Sequence, residues 1–117
     1  MKKRLGFTLV ELMVVLAVIA LLLSVVVPDY MGKMRRAEEA VLQQDLTLMR
    51  ESLDKHYADT GRYPTSLEEL VAKHYLRSIP TDPFTRSAST WVPVPPQDTR
   101  KGNVWDVRSS AKGYERY

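Results

Sequence analysis

Residues 7–27 read FTLVELMVVLAVIALLLSVVV, and the rest of the chain is organised around this stretch. Its only non-apolar residues are Thr8, Glu11 and Ser24. As an α-helix rising about 1.5 Å per residue it would be roughly 31 Å long, enough to cross the hydrocarbon core of a bilayer. We therefore predict a membrane-spanning helix over residues 7–27.

The flanking charges give this helix a direction. Lys2, Lys3 and Arg4 precede it, and basic residues beside a spanning helix favour the cytoplasmic side. The carboxyl-terminal part would then lie outside the cytoplasm, in the periplasm of a two-membrane cell. A cleaved secretory signal peptide is the alternative, but its apolar region is about 7–15 residues long and ends at a small-residue cleavage site. Residues 22–27, LLSVVV, offer no such site.

Glu11 is the unexpected residue within the apolar stretch. An ionised carboxylate inside a bilayer costs about 2.5–3.5 kcal/mol on insertion scales. A plain anchor gains nothing from that cost, so Glu11 indicates a functional role and a partner of opposite charge. The alternative is that Glu11, about one turn inside the membrane, reaches back to the cytoplasmic face.

Residues 2–12, KKRLGFTLVEL, resemble the class III signal of type IV pilins and pseudopilins. The resemblance implies cleavage by a prepilin peptidase between Gly6 and Phe7, followed by N-methylation of Phe7. Cleavage creates an amine four residues before Glu11, and Glu11 of one subunit could pair with the Phe7 amine of its neighbour in a filament. Removing one partner of such a buried pair costs about 3–5 kcal/mol.

The middle of the chain predicts a second, amphipathic helical part over residues 28–60. Pro28 removes one backbone donor and kinks or locally melts a helix, which would form a joint for assembly or a kink with no mechanical role. Beyond it, one face carries apolar side chains at helical spacing, and this stripe predicts the core of a soluble head. The helix is expected to end at Thr60, with Gly61 as its cap. The stripe comprises Leu42, Leu46, Met49, Leu53 and Tyr57.

Residues 61–117 predict a small head with one short helix and a small antiparallel sheet. The pairs Thr65–Glu68 and Ser66–Glu69 both fit a capping box at the start of the short helix. Strands are expected over residues 90–94 and 103–108, with Trp91 and Trp105 packed together over the long helix. The predicted fold class is therefore α+β, with a leader over residues 1–6, a spanning helix over 7–27, its amphipathic continuation over 28–60 and the head over 61–117.

Residues 61–70, GRYPTSLEEL, and 75–84, YLRSIPTDPF, resemble the major pseudopilins of type II secretion. That resemblance implies a calcium site in the carboxyl-terminal loops, for which the candidate ligands are Asp98, Asp106, Ser109 and Ser110. Calcium takes 6–8 oxygen ligands. Lys112 stands where such binders place an acid, so we favour a hydrogen-bonded turn without an ion and predict no cofactor.

Charge and composition exclude other classes of function. The net charge is +3, from 17 basic and 14 acidic residues, and Lys2, Lys3 and Arg4 account for all of the excess. No basic stripe for nucleic acid remains. Cysteine is absent, and His56 and His74 have no catalytic partner placed by sequence, so we predict that the chain is not an enzyme.

The family resemblance implies a homo-oligomeric filament in the inner membrane and periplasm. Its implied partners are the prepilin peptidase, an inner-membrane assembly platform, a motor ATPase and minor pseudopilins. Two alternatives to a type II secretion pseudopilin stay open at this point. One is a type IV pilus subunit, major or minor, and the other is a membrane-anchored enzyme or binding domain that never polymerises.

Overall fold

A computed structural model describes residue 6 and residues 8–117 of the chain. The described residues form two α-helices, two β-strands and a turn of 3₁₀-helix over Thr99–Lys101. The strands pair antiparallel, with Pro93 opposite Val107. This arrangement confirms the predicted α+β fold class. In chain order the regular elements are α1 (Leu9–Thr60), α2 (Leu67–Ala72), β1 (Val92–Val94) and β2 (Asp106–Arg108).

The end of α1 confirms the prediction made from its sequence. The helix stops at Thr60, and Gly61 follows with φ of 73°, in the left-handed region that glycine adopts without strain. The Gly61 amide donates to the carbonyl of Tyr57 at 2.8 Å, so a carbonyl of the last turn keeps a partner.

The chain divides into two compact units, one ending at Arg36 and one over Ala37–Tyr117, which we call the carboxyl-terminal unit. In the first unit, α1 contains a segment near the amino terminus that is long and apolar enough to span a membrane, and its side chains are exposed. The helix continues through Pro28 and Gly32. Local melting at Pro28 is therefore wrong for this conformation, because the turns on either side keep their helical geometry.

The core of the carboxyl-terminal unit forms on the predicted stripe of α1. Leu42, Leu46, Met49 and Leu53 are fully buried, each worth about 1.5–3 kcal/mol relative to an exposed side chain. Tyr57, the last member of the stripe, is half-buried and stacks on Tyr63 at 4.5 Å between ring centroids. The residues that complete this core are Leu67, Leu70, Leu76, Trp91, Val104 and Val107.

Both strands are shorter than predicted, and the two tryptophans separate. The Val104 amide donates to the carbonyl of Pro64 at 3.1 Å, so the chain before β2 is held by the loop that precedes α2. Trp91 is buried and donates to the Pro80 carbonyl at 2.7 Å, whereas Trp105 is 47% exposed. The prediction that the tryptophans pack together is wrong because regular alternation starts only at Asp106.

The start of α2 is where the sequence predicts it, but the capping bonds differ. N-cap Ser66 makes no side-chain capping bond to another described residue. Glu69 instead accepts the Thr65 amide at 2.6 Å and pairs with Lys73 at 3.0 Å. The hydrogen bond from the Thr65 amide lowers the pKa of Glu69. Both predicted capping boxes are wrong, because the Glu69 carboxylate reaches one residue beyond the N-cap.

Candidate functional site

The first turn of α1 is closed by a reciprocal pair of hydrogen bonds. The amide of Glu11 donates to Oγ1 of Thr8 at 3.1 Å, and the amide of Thr8 donates to Oε2 of Glu11 at 3.1 Å. Thr8 precedes Leu9, the first helical residue, so the pair forms a capping box. An N-cap of this kind is worth about 1 kcal/mol.

This geometry gives Glu11 a partner inside its own chain. Its Oε2 is engaged by Thr8, while Oε1 has no hydrogen bond to any other residue that the structure describes. A carboxylate in the first turn of a helix is also stabilised by the helix dipole. Glu11 therefore has a capping partner in its own chain and still offers one carboxylate oxygen to an external donor.

Of the other predicted processing and assembly residues, the structure describes Gly6 and Pro28. Gly6 is exposed, and a Cβ built on it meets no heavy atom of the described chain within 4 Å. Phe7 lies outside the described residues. Pro28 is exposed in the interior of α1. Thr8 was not among the predicted site residues, although the spacing of Thr8 and Glu11 is itself the capping-box signal.

Among the calcium candidates, Asp98 serves a local turn. It caps the 3₁₀-helix by accepting the amide of Arg100 at 3.1 Å and also pairs with the Arg100 guanidinium at 3.1 Å. The side-chain hydrogen bond from Arg100 lowers the pKa of Asp98. The Asp98 carboxylate is thus matched by a cation two residues away.

Asp106 is held by Arg50 of α1. The Arg50 Nε donates to Oδ1 of Asp106 at 2.7 Å, and the same oxygen accepts the Val107 amide at 2.8 Å. Arg50 was not predicted to have a role in the site. Its partner lies 56 residues along the chain, so no local pattern could have revealed the pair.

The two serines have different surroundings. Ser109 is buried and donates to Oδ2 of the buried Asp82 at 2.5 Å. Its Oγ also accepts the Ala111 amide at 3.1 Å. Ser110 is exposed.

The four candidate ligands do not fit a calcium site. Calcium requires 6–8 oxygens that converge on one point. The side chains of Asp98, Asp106 and Ser109 face three separate partners in this chain, and no group of three acidic or histidine side chains suited to a metal occurs among the described residues. That calcium does not bind stays a prediction, which is tested below.

The buried His56 belongs to the core. Its Nδ1 lies 2.6 Å from the carbonyl of Arg62, which requires the tautomer that carries the proton on Nδ1. Its ring makes an edge contact with Tyr75 at 5.3 Å between centroids. Nε2 has no hydrogen-bond partner in the described part of the chain. The position of His56 at the end of α1 is that of a packing residue.

Comparisons with known proteins identify relatives of this chain. Residues 1–27 match the model of the prokaryotic N-terminal methylation motif. The type II secretion system core protein G of Klebsiella pneumoniae is 34% identical over 100 residues, with 72% of this chain and 71% of the relative covered. The protein of the same name from Escherichia coli is 34% identical over 98 residues, which cover 70% of this chain and 68% of the relative.

A further relative comes from Vibrio cholerae. Its type II secretion system core protein G is 33% identical over 99 residues, covering 72% of this chain and 68% of the relative. No solved structure matches the chain. With these identities over more than two thirds of the relatives' lengths, the chain belongs to the family of the type II secretion system core protein G.

Proposed function

We propose that this chain is the structural subunit of a type II secretion pseudopilus, which polymerises to drive protein export. The observation that carries the proposal is the position and the hydrogen bonding of Glu11. It lies in an exposed apolar helix start, is fixed there by Thr8, and keeps one carboxylate oxygen free of described partners. Such an acid suits a charge-paired contact between subunits better than it suits a simple anchor.

Processing would supply the cation for this contact. A prepilin peptidase would cut between Gly6 and Phe7, and N-methylation of Phe7 would leave a positively charged amine at the new amino terminus. The exposure of Gly6 and the open space around it support access by a peptidase. The Phe7 amine of one subunit would then pair with Glu11 of its neighbour and set the axial register between them.

The exposed apolar side chains of α1 fit the two environments that this function requires. An apolar surface of this extent is not stable in water and needs lipid or another protein around it. Lipid would cover it before assembly, and the helices of neighbouring subunits would cover it in the filament. Ser24 satisfies its hydroxyl within the helix by donating to the Leu21 carbonyl at 2.6 Å, so it adds little cost in either environment.

The finer aspects of the proposal concern location and partners. Lys2, Lys3 and Arg4 would stay in the cytoplasm, placing the carboxyl-terminal unit in the periplasm. The partners would be the prepilin peptidase, the assembly platform and motor ATPase of the inner membrane, and minor pseudopilins. The chain would act as a non-enzymatic subunit, without nucleic acid and without a cofactor.

Mass spectrometry of the mature protein tests the processing step. The chain, produced in a host that carries the peptidase, is expected to lose residues 1–6 and to gain about 14 mass units on Phe7, the mass of one methyl group replacing a hydrogen. An intact amino terminus on the membrane-bound protein would instead identify a simple anchor that does not polymerise.

Substitutions of Glu11 test assembly, and two of them separate its two roles. Glu11→Gln keeps an oxygen for the Thr8 amide but removes the charge, whereas Glu11→Ala removes both. We expect both variants to be cleaved after Gly6 and neither to form filaments, as measured by the yield of sheared filaments. Wild-type filament yield from Glu11→Gln would show that capping, rather than the charge pair, is what assembly requires.

A further inference from the structure

Arg50 donates hydrogen bonds to three acceptors in the last part of the chain. Its Nε donates to Asp106 at 2.7 Å, and its Nη2 donates to the carbonyl of Val107 at 3.1 Å and to the backbone oxygen of Tyr117 at 2.8 Å. Arg50 lies on α1, whereas its acceptors lie in β2 and the residues that follow it. One guanidinium thus ties the end segment, which we define as residues 106–117, to the long helix.

The acceptors of Arg50 are of the kind that a hard metal ion collects. One carboxylate and two backbone oxygens converge on a positive charge, and these are typical oxygen ligands of calcium. Because guanidinium is charged at all relevant pH values and donates in a fixed fork, it can hold a carboxylate and neighbouring carbonyls at once. A second cation at Asp106 would have to displace or repel Arg50.

A buried acid that contacts the end segment is satisfied by neutral donors. Asp82 is fully buried and accepts from the Ser109 hydroxyl at 2.5 Å and from the Phe84 amide at 2.8 Å. The loop after β2 is closed in turn when Ser109 accepts the amide of Ala111. The loop is thereby folded by hydrogen bonds from within the chain, and Lys112, which follows it, adds a further positive charge.

We propose that Arg50 is a built-in cation that holds the end segment on α1, in the role that a divalent metal ion would otherwise fill. The carboxyl-terminal unit then folds and keeps its stability without calcium. The inference concerns the folding of one subunit, and it holds whether or not the chain polymerises.

The first test is the calcium dependence of unfolding. Thermal unfolding of the full chain in detergent micelles is followed by near-ultraviolet circular dichroism, which reports on buried aromatic rings such as Trp91. Calcium chloride and excess EGTA are compared. We expect the two Tm values to agree within about 1 °C. A rise of several degrees with calcium would overturn the proposal.

The second test removes the Arg50 charge. Arg50→Gln is expected to lower Tm by roughly 10 °C, because the partly buried Asp106 carboxylate and two backbone oxygens lose a charged donor. Arg108→Gln is the matched control, since the side chain of Arg108 is exposed and makes no hydrogen bond or ion pair with any residue that the structure describes. Equal Tm values for these two variants would contradict the role of Arg50.

A third variant keeps the test decisive if Arg50→Gln fails to fold. Arg50→Lys retains the charge but not the fork, so we expect a Tm between those of the wild type and Arg50→Gln, or a stable fold where Arg50→Gln has none. A Tm for Arg50→Lys above that of the wild type would argue against the forked contact. The comparison of calcium and EGTA on the wild-type chain needs no variant and stands by itself.

Discussion

The hydroxyl of Ser109 donates a 2.5 Å hydrogen bond to the fully buried carboxylate of Asp82. The two residues are 27 positions apart, so the bond joins the loop before β1 to the loop after β2. The other carboxylate oxygen of Asp82 accepts the amides of Phe84 at 2.8 Å and Thr85 at 3.3 Å. A buried acid without these donors would be strongly destabilising, so this bond is central to the carboxyl-terminal unit.

The substitution Ser109→Ala should therefore destabilise the protein far more than the replacement of an exposed serine. A hydrogen bond to a charged group contributes about 1.5–3 kcal/mol, and its loss leaves one oxygen of Asp82 unpaired, so we expect a loss of about 2 kcal/mol in the free energy of unfolding. Urea unfolding of the full chain in micelles measures it. Ser110→Ala, at an exposed neighbouring position, is the control and should change stability by less than about 0.5 kcal/mol. Equal losses from the two substitutions would contradict the bond.

The capping box at the start of α1 predicts that two substitutions of Thr8 differ in how readily the first turn of the helix opens. Thr8→Val removes the acceptor of the Glu11 amide, whereas Thr8→Ser retains it. Loss of an N-cap costs about 1 kcal/mol, which corresponds to a roughly fivefold larger equilibrium constant for opening of the first turn. Hydrogen exchange of the Glu11 amide in micelles should therefore be about fivefold faster in Thr8→Val. An unchanged rate in Thr8→Val would show that the hydroxyl does not cap the helix.

Asp45 predicts a pH dependence of stability with a definite sign. Its burial, and then the nearby charge of Asp82, raise the pKa of Asp45 in the folded protein. A raised carboxyl pKa means that the protonated form stabilises the fold, and that this contribution is lost as pH rises from about 4, the unfolded pKa, through the folded pKa. Asp45→Asn should thus be more stable than the wild type at neutral pH, with the difference disappearing below about pH 4.

The control for Asp45 is Asp54→Asn. Asp54 is exposed on the same helix and carries the same charge, so this variant accounts for the general effect of losing one negative charge. Unfolding by urea at several pH values between about 3 and 7 measures both variants. A pH-independent difference between Asp45→Asn and the wild type would contradict the raised pKa.

At Gly102, the addition of a single methyl group should strongly destabilise the fold. Its φ is 124°, and a Cβ at this position would overlap the carbonyl oxygen of Tyr63. Gly102→Ala should therefore cost about 3 kcal/mol, from backbone strain and from displacement of Tyr63. Gly61→Ala is the matched control, because Gly61 also has positive φ but open space around it, and should cost about 1 kcal/mol. Equal costs would show that the contact with Tyr63 adds nothing.

The local features of this chain follow from its sequence. Three of these features are local patterns in the sequence: the apolar run over residues 7–27, the stripe that begins at Leu42, and the helix end at Thr60 and Gly61. They can be predicted because helices are built from contacts three or four residues apart. The motif around Glu11 predicted the family because its residues are contiguous in the sequence. Even the capping role of Thr8 could have been read from its spacing to Glu11.

Contacts between distant residues were decided only by the tertiary structure. Arg50 with Asp106 and Asp82 with Ser109 are pairs separated by 56 and 27 positions, and no residue near one partner specifies the other. The exposure of Trp105 likewise depended on where the Val104 backbone is held by Pro64, which strand alternation cannot show. Sequence periodicity determines which face of an element is buried, whereas the partner of a charged or polar group depends on how all the elements pack together.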